Sequence, residues 1–239
     1  MDDCGFFPDR RVPICLPSLV SIEMVECHMR TPVLIASMPS LETAIVRVES
    51  ECCDDTCSLS SVDGCGRGQC RGCRDYYDSH VDRTRCLLLG AFSEAANLEL
   101  SAYPESVVFI RDLKFANSFD KLKTLVLADW FVAADLSALI WFLHHSPILE
   151  KLTLKISKVH RCTIKTKGSC KLPELPVASG HLKLVEIKYH EVDGTVIEIL
   201  KILTSSGVPL EQINVQSSIT SGCFSNSGEA FDVKQRPGY

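Results

Sequence analysis

Apolar residues recur along this chain at the first, fourth and sixth positions of a six-residue run. The pattern is clearest in Leu122-Lys123-Thr124-Leu125-Val126-Leu127 and in Leu149-Glu150-Lys151-Leu152-Thr153-Leu154. Leu182 to Ile187 (LKLVEI) and Leu210 to Val215 (LEQINV) repeat it. Weaker copies stand at Leu19 to Met24 (LVSIEM), Leu41 to Val46 (LETAIV) and Ala95 to Leu100 (AANLEL). Such a run is too short and too alternating for a helix, and its fourth and sixth residues point to one side of a pleated strand.

The first positions of the seven runs advance by 22, 54, 27, 27, 33 and 28 residues. Five of these steps are about one repeat long, and the step of 54 has room for two. Helical spacing fills two of the intervals. Asp135 is placed to cap a helix carrying Leu136, Leu139, Ile140 and Leu143, which ends before Pro147. Between Thr195 and Ser206 the residues Val196, Ile199, Leu200 and Leu203 follow the same spacing, with Gly207 as terminator. The junctions His144-His145-Ser146-Pro147 and Ser206-Gly207-Val208-Pro209 share a proline followed by a Leu-Glu pair. Strand, helix, strand implies parallel pairing, and a unit of this size buries its apolar face only by stacking on its neighbours. The expected fold is α/β: an irregular leucine-rich-repeat solenoid of parallel strands and crossover helices, shaped as a partial horseshoe. One such domain is expected over 16–216, with a lead-in over 1–15 and a disordered tail over 217–239.

The segment Phe119 to Leu127, followed by Trp130 and by Leu139 to Leu154 (LIWFLHHSPILEKLTL), resembles the leucine-rich-repeat region of plant F-box proteins. His181 to Ile187, Glu198 to Leu203 and Pro209 to Ile213 together are similar to the FBD module that follows the repeats in that family, here spanning 181–216. Leu16-Pro17-Ser18-Leu19 and Met38-Pro39-Ser40-Leu41 resemble its earlier repeats, so the likeness covers most of Leu16 to Gln216. It implies the substrate-recognition arm of a ubiquitin ligase, which holds a protein substrate. Members of the family carry an F-box that docks a Skp-type adaptor. This chain reaches its first repeat by Leu16 without one, so adaptor docking is not expected of it, and a truncated, non-functional relative is an alternative.

Composition narrows the partners. A net charge of -5 with scattered basic residues offers no face for a polyanion, which excludes nucleic acid as an expected partner. No run of apolar residues is long enough to span a membrane, and Met1 to Arg11 lack a signal-peptide pattern, so the chain is expected in the cytoplasm or nucleus. Thirteen cysteines is an odd count, and several lie in apolar segments, which suits reduced thiols.

Candidate chemistry concentrates in a Cys-rich inserted loop over 51–82. Cys70 and Cys73 have metal-ligand spacing and Cys53 and Cys57 could oppose them, giving a zinc knuckle as one arrangement and a redox pair as another. The unequal pairs, the scarcity of apolar residues and the glycines favour a loop of reduced thiols with no cofactor. His144 and His145 are placed to finish a helix, where the carboxyl-terminal dipole favours a cation. Neither has a nucleophile or acid fixed near it by spacing, and the glycines at 64, 66 and 68 lack the lysine and hydroxyl of a phosphate loop. No enzyme activity is expected. The expected function is protein binding, through polar residues between the framework positions: Lys123, Thr124, Lys151, Thr153, Lys183, Glu186, Gln212 and Asn214. Trp141 and Phe142 are expected in the core, and Trp130, three residues past its strand, at the rim of a binding surface.

Overall fold

Among the described residues there are nine short strands, and those of the main sheet form where apolar and polar residues alternate. They are β1 (Pro13–Cys15), β2 (Ser21–Met24), β3 (Leu34–Ser37), β4 (Thr43–Val48), β5 (Asn97–Ala102), β6 (Thr124–Asp129), β7 (Lys151–Ile156), β8 (Leu184–Tyr189) and β9 (Ile213–Ser217). The α-helices whose bounds lie among the described residues are α1 (Trp130–Ala133), α2 (Ser137–His145) and α3 (Gly194–Ser205). The protein is seen in a computed structural model that describes residues 13–25, 34–48, 88–102, 109, 112–113, 116–133, 136–157, 180–191 and 194–218.

Seven strands make one open sheet in the order β2-β4-β5-β6-β7-β8-β9, and every adjacent pair is parallel. Neighbours in the sheet follow the order of the chain. β1 and β3 form a separate parallel pair, and β3 lies beside the 3-10 turn Leu89–Phe92. Among the described residues no helix is long and apolar enough to cross a membrane.

The six-residue pattern and the sheet register coincide. The fourth positions align as Ile22, Ala44, Leu98, Leu125, Leu152, Val185 and Ile213, and the sixth as Met24, Val46, Leu100, Leu127, Leu154, Ile187 and Val215. In the five central units the first, fourth and sixth residues are all buried. Each of the large ones contributes about 1.5–3 kcal/mol by leaving water. The outermost units are less covered, with Leu210 at 64% and Val215 at 41% exposure. β4 and β5 are direct neighbours, so the step of 54 residues is one strand-to-strand advance and not two.

A turn with the same hydrogen bond precedes five of the seven strands of the sheet. The first-position N–H donates to the carbonyl three residues back in Leu19→Leu16, Leu41→Met38, Ala95→Phe92, Leu122→Phe119 and Leu149→Ser146, at 3.0–3.2 Å. Pro17, Pro39 and Pro147 occupy the second place of three of these turns, where their fixed φ is already correct. Pro147 therefore opens a turn as well as stopping a helix. The second-position carbonyl then accepts two N–H groups from the next unit, as Lys123 O does from Glu150 N and Lys151 N, both at 2.9 Å.

The helices lie where their spacing places them. α2 buries Ala138, Leu139, Phe142 and Leu143, and α3 buries Val196, Ile199 and Leu203. The cap of α2 differs from expectation: the helix starts at Ser137, its cap position is Leu136 at φ +59°, and no side chain caps it. Asp135 lies outside the described residues. Gly207, at φ +83°, ends α3 as expected. Its N–H bonds Thr204 O and that of Val208 bonds Leu203 O, the paired bonds of a Schellman stop, with Val208 and Leu203 both buried.

Candidate protein-binding face

Period two along each strand gives the sheet a second face, opposite the buried framework. Its rows are set by register: Thr43, Asn97, Thr124, Lys151 and Leu184 in one; Ile45, Glu99, Val126, Thr153, Glu186 and Asn214 in the next; Arg47, Ser101, Ala128, Lys155, Lys188 and Gln216 in a third. No helix of the described residues packs on these rows, because α2 and α3 spend their apolar sides on the framework core.

Two carboxylates organise the charge on this face. Glu99 Oε1 accepts from Arg47 at 3.2 Å and from Lys155 at 3.3 Å. Arg47 is on the adjoining strand, but Lys155 is two strands away on β7, so its side chain crosses β6, whose residue in that row is the small Ala128. Glu186 Oε2 pairs with Lys151 at 3.2 Å and accepts the Thr153 hydroxyl at 3.1 Å. The hydrogen bond from Lys151 holds the Glu186 carboxyl below its ordinary value; burial opposes this, and Thr153, the Lys151 charge and Lys188 add to the lowering.

The expected binding residues divide between two places. Thr124, Lys151, Thr153, Glu186 and Asn214 lie on the strand rows. Lys123 and Lys183 sit one step before their strands, on an exposed margin where Lys183 Nζ pairs with Glu150 at 2.9 Å. The Lys183 hydrogen bond lowers the Glu150 pKa, and Lys123 and His181 contribute through their charge. Gln212 ends the 3-10 turn Leu210–Gln212, with its Oε1 buried and unbonded.

Trp130 is a correction. Its ring is fully buried, its Nε1–H donates to Leu100 O at 3.2 Å, and Phe109 lies 5.0 Å away at 51°. α1 begins at once after β6 and turns the indole back under the sheet, so Trp130 offers nothing to a partner. Phe142 is in the core as expected, while Trp141 packs on its border, stacked on His145 at 4.1 Å. His145 Nδ1 and Trp141 O are 2.8 Å apart, and His144, with its pKa lowered by burial and then by the His145 charge, favours the neutral form over the cation expected at a helix end.

No family model, curated protein or solved structure matches the chain.

Cys53, Cys57, Cys70 and Cys73 lie outside the described residues. Among the described residues no group of three or more His, Cys, Asp or Glu side chains is placed to hold a metal ion. Arg47, Glu99, Lys155 and Lys188 also belong to this face, beyond the residues that the sequence pattern predicts. Three of them stand one place beyond the six-residue run, so extending each run by a single residue aligns Arg47, Lys155 and Lys188 as one row.

Proposed function

We propose that the chain is a leucine-rich-repeat solenoid that binds another protein on the exposed face of its parallel sheet. The observation that carries this is the coincidence of repeat and register: seven runs supply seven strands in chain order, the framework residues fill one side, and the other displays rows of mixed polar residues. A stack of this kind forms an extended surface whose side chains vary without disturbing the core. The resemblance to F-box repeats supports a protein substrate as the bound molecule. We assign the role to the repeat region alone, with no part for a Skp-type adaptor, a cofactor or catalysis.

Site-directed photo-crosslinking tests it. A benzoylphenylalanine at Val126, on the sheet face, should give discrete protein adducts that excess unlabelled chain displaces and that Thr124→Arg abolishes. The same group at Glu198, on the exposed side of α3, should give none. Absence of specific adducts at Val126, or equal adducts at both positions, refutes protein binding by this face.

A further inference from the structure

The exposed face is not evenly charged. On β7 and β8 it carries Lys151, Lys155 and Lys188 against a single carboxylate, Glu186, although the whole chain is at -5. Lys155 and Lys188 are register neighbours, an arrangement that costs stability through like-charge repulsion. Lys155 is drawn off across Ala128 to Glu99, a carboxylate it shares with Arg47. Among the described residues Lys188 makes no ion pair, and it reaches Glu186 only through its field. Beside them β9 presents the exposed amides of Asn214 and Gln216, in register with Glu186 and Lys188.

We infer that the β7–β9 part of this face docks an acidic, extended segment of a partner protein. Its carboxylates pair with Lys155 and Lys188, and its peptide groups bond the amides of Asn214 and Gln216. The lysines favour carboxylates spread along a chain over one compact phosphate. Lys155 and Lys188 are one strand apart, about 5 Å, but Lys151 stands four residues from Lys155 along its strand, about 13 Å, so the three charges are spread along the face and do not surround one point. None of the three is an arginine, whose planar fork suits phosphate oxygens. Carboxylates arriving here complete a cluster in which cations outnumber anions and relieve the repulsion within the Lys155–Lys188 pair. The inference rests on protein binding by the sheet face and adds the chemistry of what is bound.

The test uses the full chain and a fluorescein-labelled peptide of about ten residues alternating Glu and Ala, with a Gln/Ala peptide as neutral control. Fluorescence anisotropy should show saturable binding of the Glu peptide, at least about tenfold weaker binding of the Gln peptide, and a comparable loss in the Lys155→Glu/Lys188→Glu variant. Lys201→Glu, on the exposed side of α3, should leave affinity unchanged, and circular dichroism should show the double variant folded. A milder Lys188→Gln variant should weaken binding in the same direction, which covers the case of a double variant that misfolds. Equal binding of the two peptides, no loss in the folded variants, or displacement of the Glu peptide by millimolar inorganic phosphate or by a single-stranded DNA oligomer overturns the inference. Adducts at Val126 that survive both Lys155→Glu and Lys188→Glu would overturn the acidic partner while leaving protein binding by the face intact; absence of specific adducts would instead remove the role on which it rests.

Discussion

Replacing Trp130 separates a core residue from a contact residue. The indole is wholly buried, donates to Leu100 O at 3.2 Å and pairs with Phe109 at 5.0 Å. Trp130→Phe keeps most of the buried area but deletes the N–H, costing about 1–2 kcal/mol for the lost bond and the carbonyl left short of a donor. Trp130→Ala also opens a cavity and removes the ring pair, and large aromatic truncations of this kind cost about 3–5 kcal/mol. Against a total stability of about 5–15 kcal/mol for an ordinary domain, that is a large fraction. Urea unfolding followed by circular dichroism should place the midpoints in the order wild type, Phe, Ala with an unchanged slope. The chain has two tryptophans. A Trp141→Phe background therefore makes fluorescence report on Trp130 alone, with blue-shifted emission that acrylamide quenches poorly. A Trp130→Ala midpoint equal to wild type, or red-shifted, readily quenched Trp130 emission, would refute the buried placement.

Asp129 lies at φ +63°, and its carboxylate accepts from Ser157 N at 2.6 Å and Ser157 Oγ at 2.9 Å, tying the end of β6 to the end of β7. Asp129→Ala should cost about 1–2 kcal/mol, from the lost acceptor and the left-handed backbone that aspartate tolerates better than alanine, while Asp129→Asn should cost less than half as much in the same urea titration. Acid should weaken the fold in two stages. His144 has a lowered pKa in the folded chain, so its contribution is intact above the ordinary value of 6.5 and is lost as pH falls through the folded value. Glu186, also lowered, keeps its contribution above 4.5 and loses it as pH falls through its own folded value. His144→Asn should flatten the stability profile just below pH 6.5 and Glu186→Gln below pH 4.5; unchanged profiles in both would contradict these environments.

The repeat is readable because each strand needs apolar residues at fixed intervals to fill a shared core, and the first, fourth and sixth positions carry that demand in the five central units. The helix stop at Gly207 was readable for a similar reason, since a positive φ and a following apolar contact leave few residue choices. The burial of Trp130 is not legible, because its distance from the strand says nothing about direction. The turn of α1, which sends the ring inward, has no signature beyond four residues, Trp-Phe-Val-Ala, that suit strand as well as helix. The cap of α2 was misassigned because Asp135 is a good capping residue by chemistry, whereas the chain instead places Leu136 in a left-handed conformation that sequence preference argues against. The interval of 54 residues separates adjacent strands, and length alone does not distinguish an added unit from an insertion between paired strands.

The two faces of the sheet explain why function was less legible than fold. Along β7 the residues Leu152 and Leu154 must fit between fixed neighbours above and below, so their identity is dictated by volume and burial. Lys151 and Lys155 alternate with them and are part exposed, so packing asks little of these two except that they tolerate water, whereas Thr153 between them is buried with its hydroxyl bonded to Glu186. What the two lysines are is therefore not dictated by the core. The fold even pays a small penalty there, holding Lys155 and Lys188 in one row and reaching across Ala128 for a carboxylate that Arg47 already uses. A core residue is chosen by what surrounds it in the monomer. Among the described residues the row of Lys155 and Lys188 holds more cations than the acids paired with them, and the proposed acidic partner would supply the missing charges.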